Sequence, residues 1–266
     1  EGKSAILIKM VDISSIPILV DTHDPDEFVK TVRLIAPTFG AILLEDVAAP
    51  MCFEVEDRLK ADLDIPVFHD DQHGTAVVTL GALIRALDIT GKDRSSLRVV
   101  MNGSGAAGTA IARFLLEWGV ADVVLCDRHG AIYRGRTERM NSAKERLAEE
   151  TNRDNEKGSL ADVIRDKDVF IGVSGPGLVS KDMVRSMASD PIVFAMANPV
   201  PEIWPHEAVE AGAAVATDGR NLNNALGFPG IFRGALDASA TQLNEPMKVA
   251  ASEALAGLAS DGEIVP

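Results

Sequence analysis

Cysteine is nearly missing from this chain. Cys52 and Cys126 are the only two, and no CxxC spacing surrounds either of them. That excludes a disulfide framework and a cysteine zinc site, and it points to reduced thiols of the kind found in a cytoplasmic protein. Basic residues are also in short supply: 26 Lys and Arg stand against 40 Asp and Glu, for a net charge of −14. The best basic cluster, Arg128 to Arg139, is broken by Glu138 and holds one aromatic residue, Tyr133, the chain's single tyrosine. A phosphate backbone is repelled by such a surface, so nucleic acid is not an expected partner. No uncharged apolar run approaches the roughly 20 residues that span a bilayer, so no membrane association is expected. Glu1-Gly2-Lys3 leads straight into Ser4-Ala5-Ile6-Leu7-Ile8, read here as a first strand with no cleavable leader before it.

What remains is ordinary globular material, 46% hydrophobic and 25% charged over 266 residues, enough for one large domain or two of moderate size. Short β-rich runs alternate with helical stretches, which predicts an α/β fold with parallel strands. Strands are expected at 16–20, 41–44 and 65–68. Asp24-Pro25-Asp26-Glu27 supplies a cap, a first-turn proline and first-turn acids for a helix reaching about Leu34. Pro50 opens a helix to about Leu63, and Thr75 to Leu87 reads as a buried helix. After the polar break at 90–94 a second unit begins, with strands at 97–101 and 123–126 around a helix from Ala106 to Trp118. Residues 139–166 read as charged and helical with a loop at 152–158. Three more strands fall at 169–173, 192–196 and 213–216, and the Ala-rich tail from Gly234 to Leu258 is helical.

Three constellations carry chemistry. Asn102-Gly103-Ser104-Gly105-Ala106-Ala107-Gly108 follows a strand and opens a helix, the context in which glycines let a backbone approach a pyrophosphate and a helix N-terminus attracts it. Asp127 ends the next strand, where a carboxylate accepts the ribose hydroxyls of NAD, while neighbouring Arg128 would suit the 2′-phosphate of NADP. The second constellation is acidic. Glu45-Asp46 and Asp70-Asp71 each follow a buried strand, at the sheet edge where ligands collect, and converging carboxylates suit Mg²⁺ or Mn²⁺. For any single one of these acids helix capping is the commoner explanation, and it is the two adjacent pairs after buried strands that suggest a metal. His69 and His73 flank the second pair and read as hydrogen-bonded structural residues rather than ligands. The third set is polar: Ser174-Gly175-Pro176-Gly177, Asn198-Pro199 and Asn221-Leu222-Asn223-Asn224. All three suit turns, and the asparagines also suit a substrate bearing carboxylates and a hydroxyl.

Taken together, these stretches resemble the malic enzymes of the bacterial type. The matching segments are Leu44-Glu45-Asp46-Val47-Ala48-Ala49-Pro50, the run from Pro66 to Ala76, the glycine turn at 102–108, Ala197-Asn198-Pro199-Val200-Pro201-Glu202, and Phe228 to Ala235, in family order. The resemblance implies that Lys3 is the general base and Asp70 the acid beside it. It makes Glu45, Asp46 and Asp71 the divalent-metal ligands, and it places Asn198 and Asn224 at the nicotinamide and substrate site. The pyrophosphate turn is Gly103, Ser104, Gly105, Ala106, Ala107 and Gly108. The implied reaction oxidises L-malate with NAD or NADP and decarboxylates the product to pyruvate, with Mg²⁺ or Mn²⁺ as the metal. A lysine base near neutral pH needs a lowered pKa, which burial and the cation favour and Asp70 opposes.

The resemblance also implies a Rossmann-like dinucleotide-binding domain at 72–223. A second α/β substrate and metal domain would take residues 1–71 and the returning segment 224–266, in a homodimer or larger homo-oligomer. Two departures stand out. The family's tyrosine general acid has no match, since Tyr133 lies in the cofactor unit, so binding of dinucleotide and metal with little complete turnover is expected of these residues alone. Asp218-Gly219-Arg220 also runs almost directly into Asn221, where the family usually has a longer loop. The alternatives are a malolactic enzyme and a non-catalytic NAD-binding regulatory domain. The intact Lys3 and the four acids argue against the latter.

Overall fold

The computed structural model describes all 266 residues. Its larger sheet has six strands: β3 (Arg98–Asn102), β4 (Asp122–Asp127), β5 (Gly130–Ala131), β6 (Val169–Gly172), β7 (Ile192–Ala195) and β8 (Val215–Asp218). They lie in the order β5-β4-β3-β6-β7-β8, and all pairs are parallel except the short antiparallel β5. The strand order reverses between β3 and β6, the switch point at which open parallel sheets bind ligands. Val99, Val100 and Met101 are all buried, as expected of a central strand covered by helices on both faces. One face packs on α4 (Thr75–Thr90) and α5 (Ala106–Trp118), and the other on α7 (Leu160–Val163), α8 (Lys181–Arg185) and α9 (Pro205–Glu210). Helix α6 (Ser142–Glu150), capped by Asn141, contributes Leu147 and Ala148 to the first of these cores.

The smaller sheet is a parallel pair, β1 (Ile42–Leu44) and β2 (Val67–His69), packed under α2 (Pro25–Ile35) and α3 (Met51–Asp62). The Asp24 side chain caps α2 as the sequence predicts. A single π-helical turn, Asp70–Gly74, leads from β2 directly into α4. Helices α10 (Phe228–Asp237) and α11 (Glu245–Leu258) close the structure. Helix α11 lies along α4, where a Cβ on Gly81 would come within 3.0 Å of the Ser252 carbonyl oxygen.

Two expected strands are absent. Residues 2–11 form a helix, α1, which lays Leu7 into the core beside α10. Residues 16–20 form neither helix nor strand. Leu19 is 93% exposed, Pro17 lacks an N–H, and no partner strand lies alongside. The predicted helical tail is two helices, with a break at 238–244 ending at the Asn244 cap. The sheet is mixed rather than wholly parallel because β4 turns back on itself at Arg128-His129.

Candidate functional site

The carboxyl edges of both sheets face one cleft of about 310 Å³, lined among others by Asp71, Thr75, Ala107, Ser174, Asn198 and Asn224. On the small-sheet side, β1 ends at Glu45-Asp46 and β2 at Asp70-Asp71. The parallel register of Leu44 with His69 brings the two pairs together. Glu45, Asp46 and Asp71 each present an oxygen within 4.8 Å of the others. The Asp46 N–H donates to Asp71 Oδ2 at 3.2 Å.

Lys3, half-buried on α1, donates to Glu45 Oε2 and to Asp70 Oδ2, and its Nζ lies 5.6 Å from the Phe228 ring centroid. Burial pulls the lysine down, but the two carboxylates outweigh it and hold Lys3 above its ordinary value, contrary to the lowering expected of a base. Burial pushes the Asp70 carboxyl up to about 6, against the pull of Lys3. Asp70 Oδ1 is buried and has no hydrogen-bond partner, and a Cβ on Gly74 would sit 1.8 Å from it, so a side chain there would displace the Asp70 carboxylate. One ammonium thus serves four carboxylates. This acid surplus, with hard oxygen donors and no sulfur, fits Mg²⁺ or Mn²⁺. The flanking histidines are structural: His69 Nε2 bonds the Val47 carbonyl and His73 turns away toward Glu56.

On the large-sheet side the glycine turn joins β3 to α5. Gly103 adopts φ +124°, and a Cβ on Gly108 would lie 1.9 Å from the Gly103 carbonyl oxygen, so strand and helix meet too closely for any side chain. A Cβ on Gly105, the α5 cap, would meet nothing. The space left open there, before a 13-residue helix beginning at Ala106, is a cradle that fits a pyrophosphate. Ser104 stands in the same turn, and Asn102 donates to Ser174 Oγ at 2.8 Å across the switch point.

Asp127 ends β4 as expected, but both of its oxygens are engaged. Arg136 Nη2 lies 2.8 and 2.9 Å away and Lys144 Nζ 2.6 Å away, while the His129 N–H donates at 2.8 Å. Burial would raise this carboxyl, yet the two cations hold it below its usual range. Sequence reasoning missed this pair of cations because Arg136 and Lys144 sit in a charged, loop-rich stretch. The tight passage after β8 is closed by Asp218, whose carboxylate accepts from the N–H groups of Arg220 and Asn221 and pairs with the Arg220 side chain.

Two buried glutamates also went unread. Glu202 accepts from the Ser174 N–H at 2.9 Å and the Ala197 N–H at 3.1 Å, tying the ends of β6 and β7 together beside Asn198. Glu56 lies beneath the Asp70–Gly74 turn. The role of neither is legible as a motif, although Glu202 closes the Asn198–Glu202 run.

Comparison with known proteins decides the family. A family model described as the malic enzyme NAD binding domain matches residues 72–265, and one described as the malic enzyme N-terminal domain matches residues 2–60. The chain belongs to the malic enzyme family. It is 55% identical to a bifunctional malic/malolactic enzyme of Bacillus subtilis, a match covering 99% of this chain and 66% of that protein. It is 51% identical to an NAD-dependent malic enzyme of Geobacillus stearothermophilus, covering 99% of this chain and 56% of that one. Among solved structures, the NAD-dependent malic enzyme of Thermotoga maritima superposes with a TM-score of 0.96 at 38% identity, over the whole of this chain and 72% of that one. The chain thus spans about two thirds or less of the length of these curated malic enzymes. No helix is long and apolar enough to cross a membrane.

Proposed function

We propose that this chain carries the centre for oxidative decarboxylation of L-malate to pyruvate and CO₂, with hydride transfer to NAD or NADP. The observation that supports it best is the single cleft in which Asp71, the start of α5 at Ala107, Asn198 and Asn224 meet. Glu45, Asp46 and Asp71 would hold Mg²⁺ or Mn²⁺, which when bound supplies Lewis-acid polarisation of an oxygen at C2. Gly103 to Gly108 would seat the pyrophosphate of the dinucleotide, whose nicotinamide accepts the hydride.

The chain's own residues then divide the work. The amides of Asn198 and Asn224 offer both donors and acceptors to substrate carboxylates and hydroxyl. Lys3 Nζ, with Asp70 Oδ2 as its partner, stands beside the acids to exchange a proton with the substrate hydroxyl. Asp70 is fully buried, so its side of the pair is shielded from water while the Lys3 ammonium stays partly open to the cleft. Residues 1–71 and 224–266 would form the substrate and metal domain, and 72–223 the dinucleotide domain. A homodimer or larger assembly, in the cytoplasm, is part of the same reading.

The test is an absorbance assay of the full-length protein that contains these residues, with L-malate, each dinucleotide and Mn²⁺. Malate-dependent formation of reduced cofactor together with pyruvate is expected. Absence of both under either dinucleotide, with Mg²⁺ or Mn²⁺, would overturn the reading. A second reading draws on the name of the Bacillus subtilis relative: the same residues would release lactate with no net reduced cofactor. Lactate measured alongside the absorbance separates the two.

A further inference from the structure

Glu56 is 3% exposed on the inner side of α3, and its carboxylate gathers both flanks of the Asp70-Asp71 step. Before the step, the His69 N–H donates to Oε1 at 3.1 Å. After it, Gln72 Nε2 donates to Oε2 at 3.0 Å, and His73 Nε2 lies 2.9 Å from Oε1 and 3.0 Å from Oε2. Lys60, one helical turn along α3, sets its ammonium 2.8 Å from Oε1.

The other nitrogen of His73, Nδ1, lies 3.1 Å from Lys248 Nζ on α11. An ammonium only donates and a carboxylate only accepts, so Nδ1 accepts from Lys248 and the closer Glu56 contact draws the ring proton to Nε2, with the Lys60 ammonium 3.3 Å from the same nitrogen. Lys248 is itself buried, pairs with Glu245, and lies 5.5 Å from the Phe114 ring centroid. Glu56, His73 and Lys248 therefore tie α3, the π-helical turn and α11 into one buried chain.

The turn needs such a tie. Asp70 and Asp71 are adjacent like charges that also face Glu45 and Asp46, and Lys3 offsets their mutual repulsion only at Glu45 and Asp70. The three groups that Glu56 holds lie on residues 69, 72 and 73, so they bracket the two acids without engaging either carboxylate. We propose that Glu56 is the positioning residue of the metal centre, fixing the turn so that Asp71 joins Glu45 and Asp46, with His73 and Lys248 setting the orientation of the clamp. The proposal rests on the reading that these three acids hold a divalent cation.

The test pairs two measurements on the full-length protein and its Glu56→Ala and Glu56→Gln variants: Mn²⁺ affinity by titration calorimetry, and amide hydrogen exchange of residues 69–74 and 98–102. Glu56→Ala should weaken Mn²⁺ binding by roughly 10- to 100-fold, the range for residues that orient metal ligands, with dinucleotide affinity unchanged. Its amides at 69–74 should exchange at least about tenfold faster while those at 98–102 keep their protection. Glu56→Gln keeps one acceptor oxygen but turns an NH₂ toward other donors, so an intermediate loss is expected, and this variant carries the test should Glu56→Ala not fold. Mn²⁺ affinity within about twofold of wild type in a folded variant would overturn the proposal. If the wild type binds no Mn²⁺, the metal reading and the proposal built on it both fail, whereas a binding wild type with an unaffected variant sinks the proposal alone.

Discussion

Glu56 and Glu202 do the same mechanical job at the two carboxyl edges that form the cleft, and they are neutralised in opposite ways. Both are almost wholly out of water. Glu56 is surrounded by side chains that carry or shed protons: Lys60 and His73 contact it, and Lys248 stands behind His73. Burial would raise it, but His73 and Lys60 overcome that and hold the carboxyl at about 2. Glu202 has backbone N–H partners at Ser174 and Ala197 and no ion pair, so burial prevails and its carboxyl lies above the usual range. An edge that already gathers four acids admits a fifth carboxylate only with cations beneath it. An edge built around a phosphate turn has backbone donors to spare, and a carboxylate can be satisfied there without a counter-charge.

The sharpest test of that division is to remove one function at a time. Asp71→Ala should abolish metal-dependent turnover, a loss beyond about 1000-fold, while calorimetry finds the dinucleotide affinity unchanged. An equal loss of dinucleotide binding would show that the two edges are not separable. Gly108→Ala attacks the other side: a methyl group 1.9 Å from the Gly103 carbonyl must push α5 off β3. Dinucleotide affinity should fall by about 100-fold or more, with Mn²⁺ affinity preserved. Gly105→Ala meets no protein atom, so it should cost no more than about 1 kcal/mol, at the α5 cap, and act chiefly by weakening dinucleotide binding.

The two glutamates also predict stability profiles of opposite slope. A carboxyl depressed from 4.5 to about 2 contributes stability that is complete above 4.5 and disappears as pH falls toward 2. The difference between wild type and Glu56→Gln in denaturant unfolding should therefore shrink over that window, by up to about 3 kcal/mol. Glu202 is raised above 4.5, so its cost is absent below that value and grows as pH rises through its folded-state value. Glu202→Gln should accordingly gain on the wild type as pH rises. Parallel slopes for the two variants would break the comparison.

The smallest effect is expected at Asp127. It is already neutralised by Arg136 and Lys144, so Asp127→Ser frees two cations beside the ribose position. NADP affinity should improve relative to NAD by about tenfold in fluorescence titrations. An unchanged ratio would remove Asp127 from cofactor choice.

The dinucleotide half was largely legible because each of its signals is local. The helix 106–118 follows from a glycine turn and an apolar face, and the strands at 98–102, 122–127, 169–172 and 192–195 are short buried runs. The first 24 residues misled because an Ile- and Leu-rich run suits strand or helix alike, and only packing against α10 makes 2–11 helical. At the site, acids that follow strands could be read from order along the chain. Glu56, Arg136 and Lys248 could not, since a charged residue in a charged helix or loop gives no sign that it will be buried, nor could the half-buried Lys144.

One consequence of the Lys248–His73 contact concerns time rather than space. These partners are 175 positions apart. Until residues 245–258 have been synthesised and have docked along α4, His73 lacks its second partner and Ser252 cannot reach the Val77 carbonyl oxygen, its 3.0 Å contact in the finished fold. Long-range closures of this kind come late in folding. On the ribosome, the phosphate turn and its sheet have all their residues available while the acidic turn still awaits its last support. Order at the acidic turn is therefore expected to follow order at the glycine turn as the chain emerges.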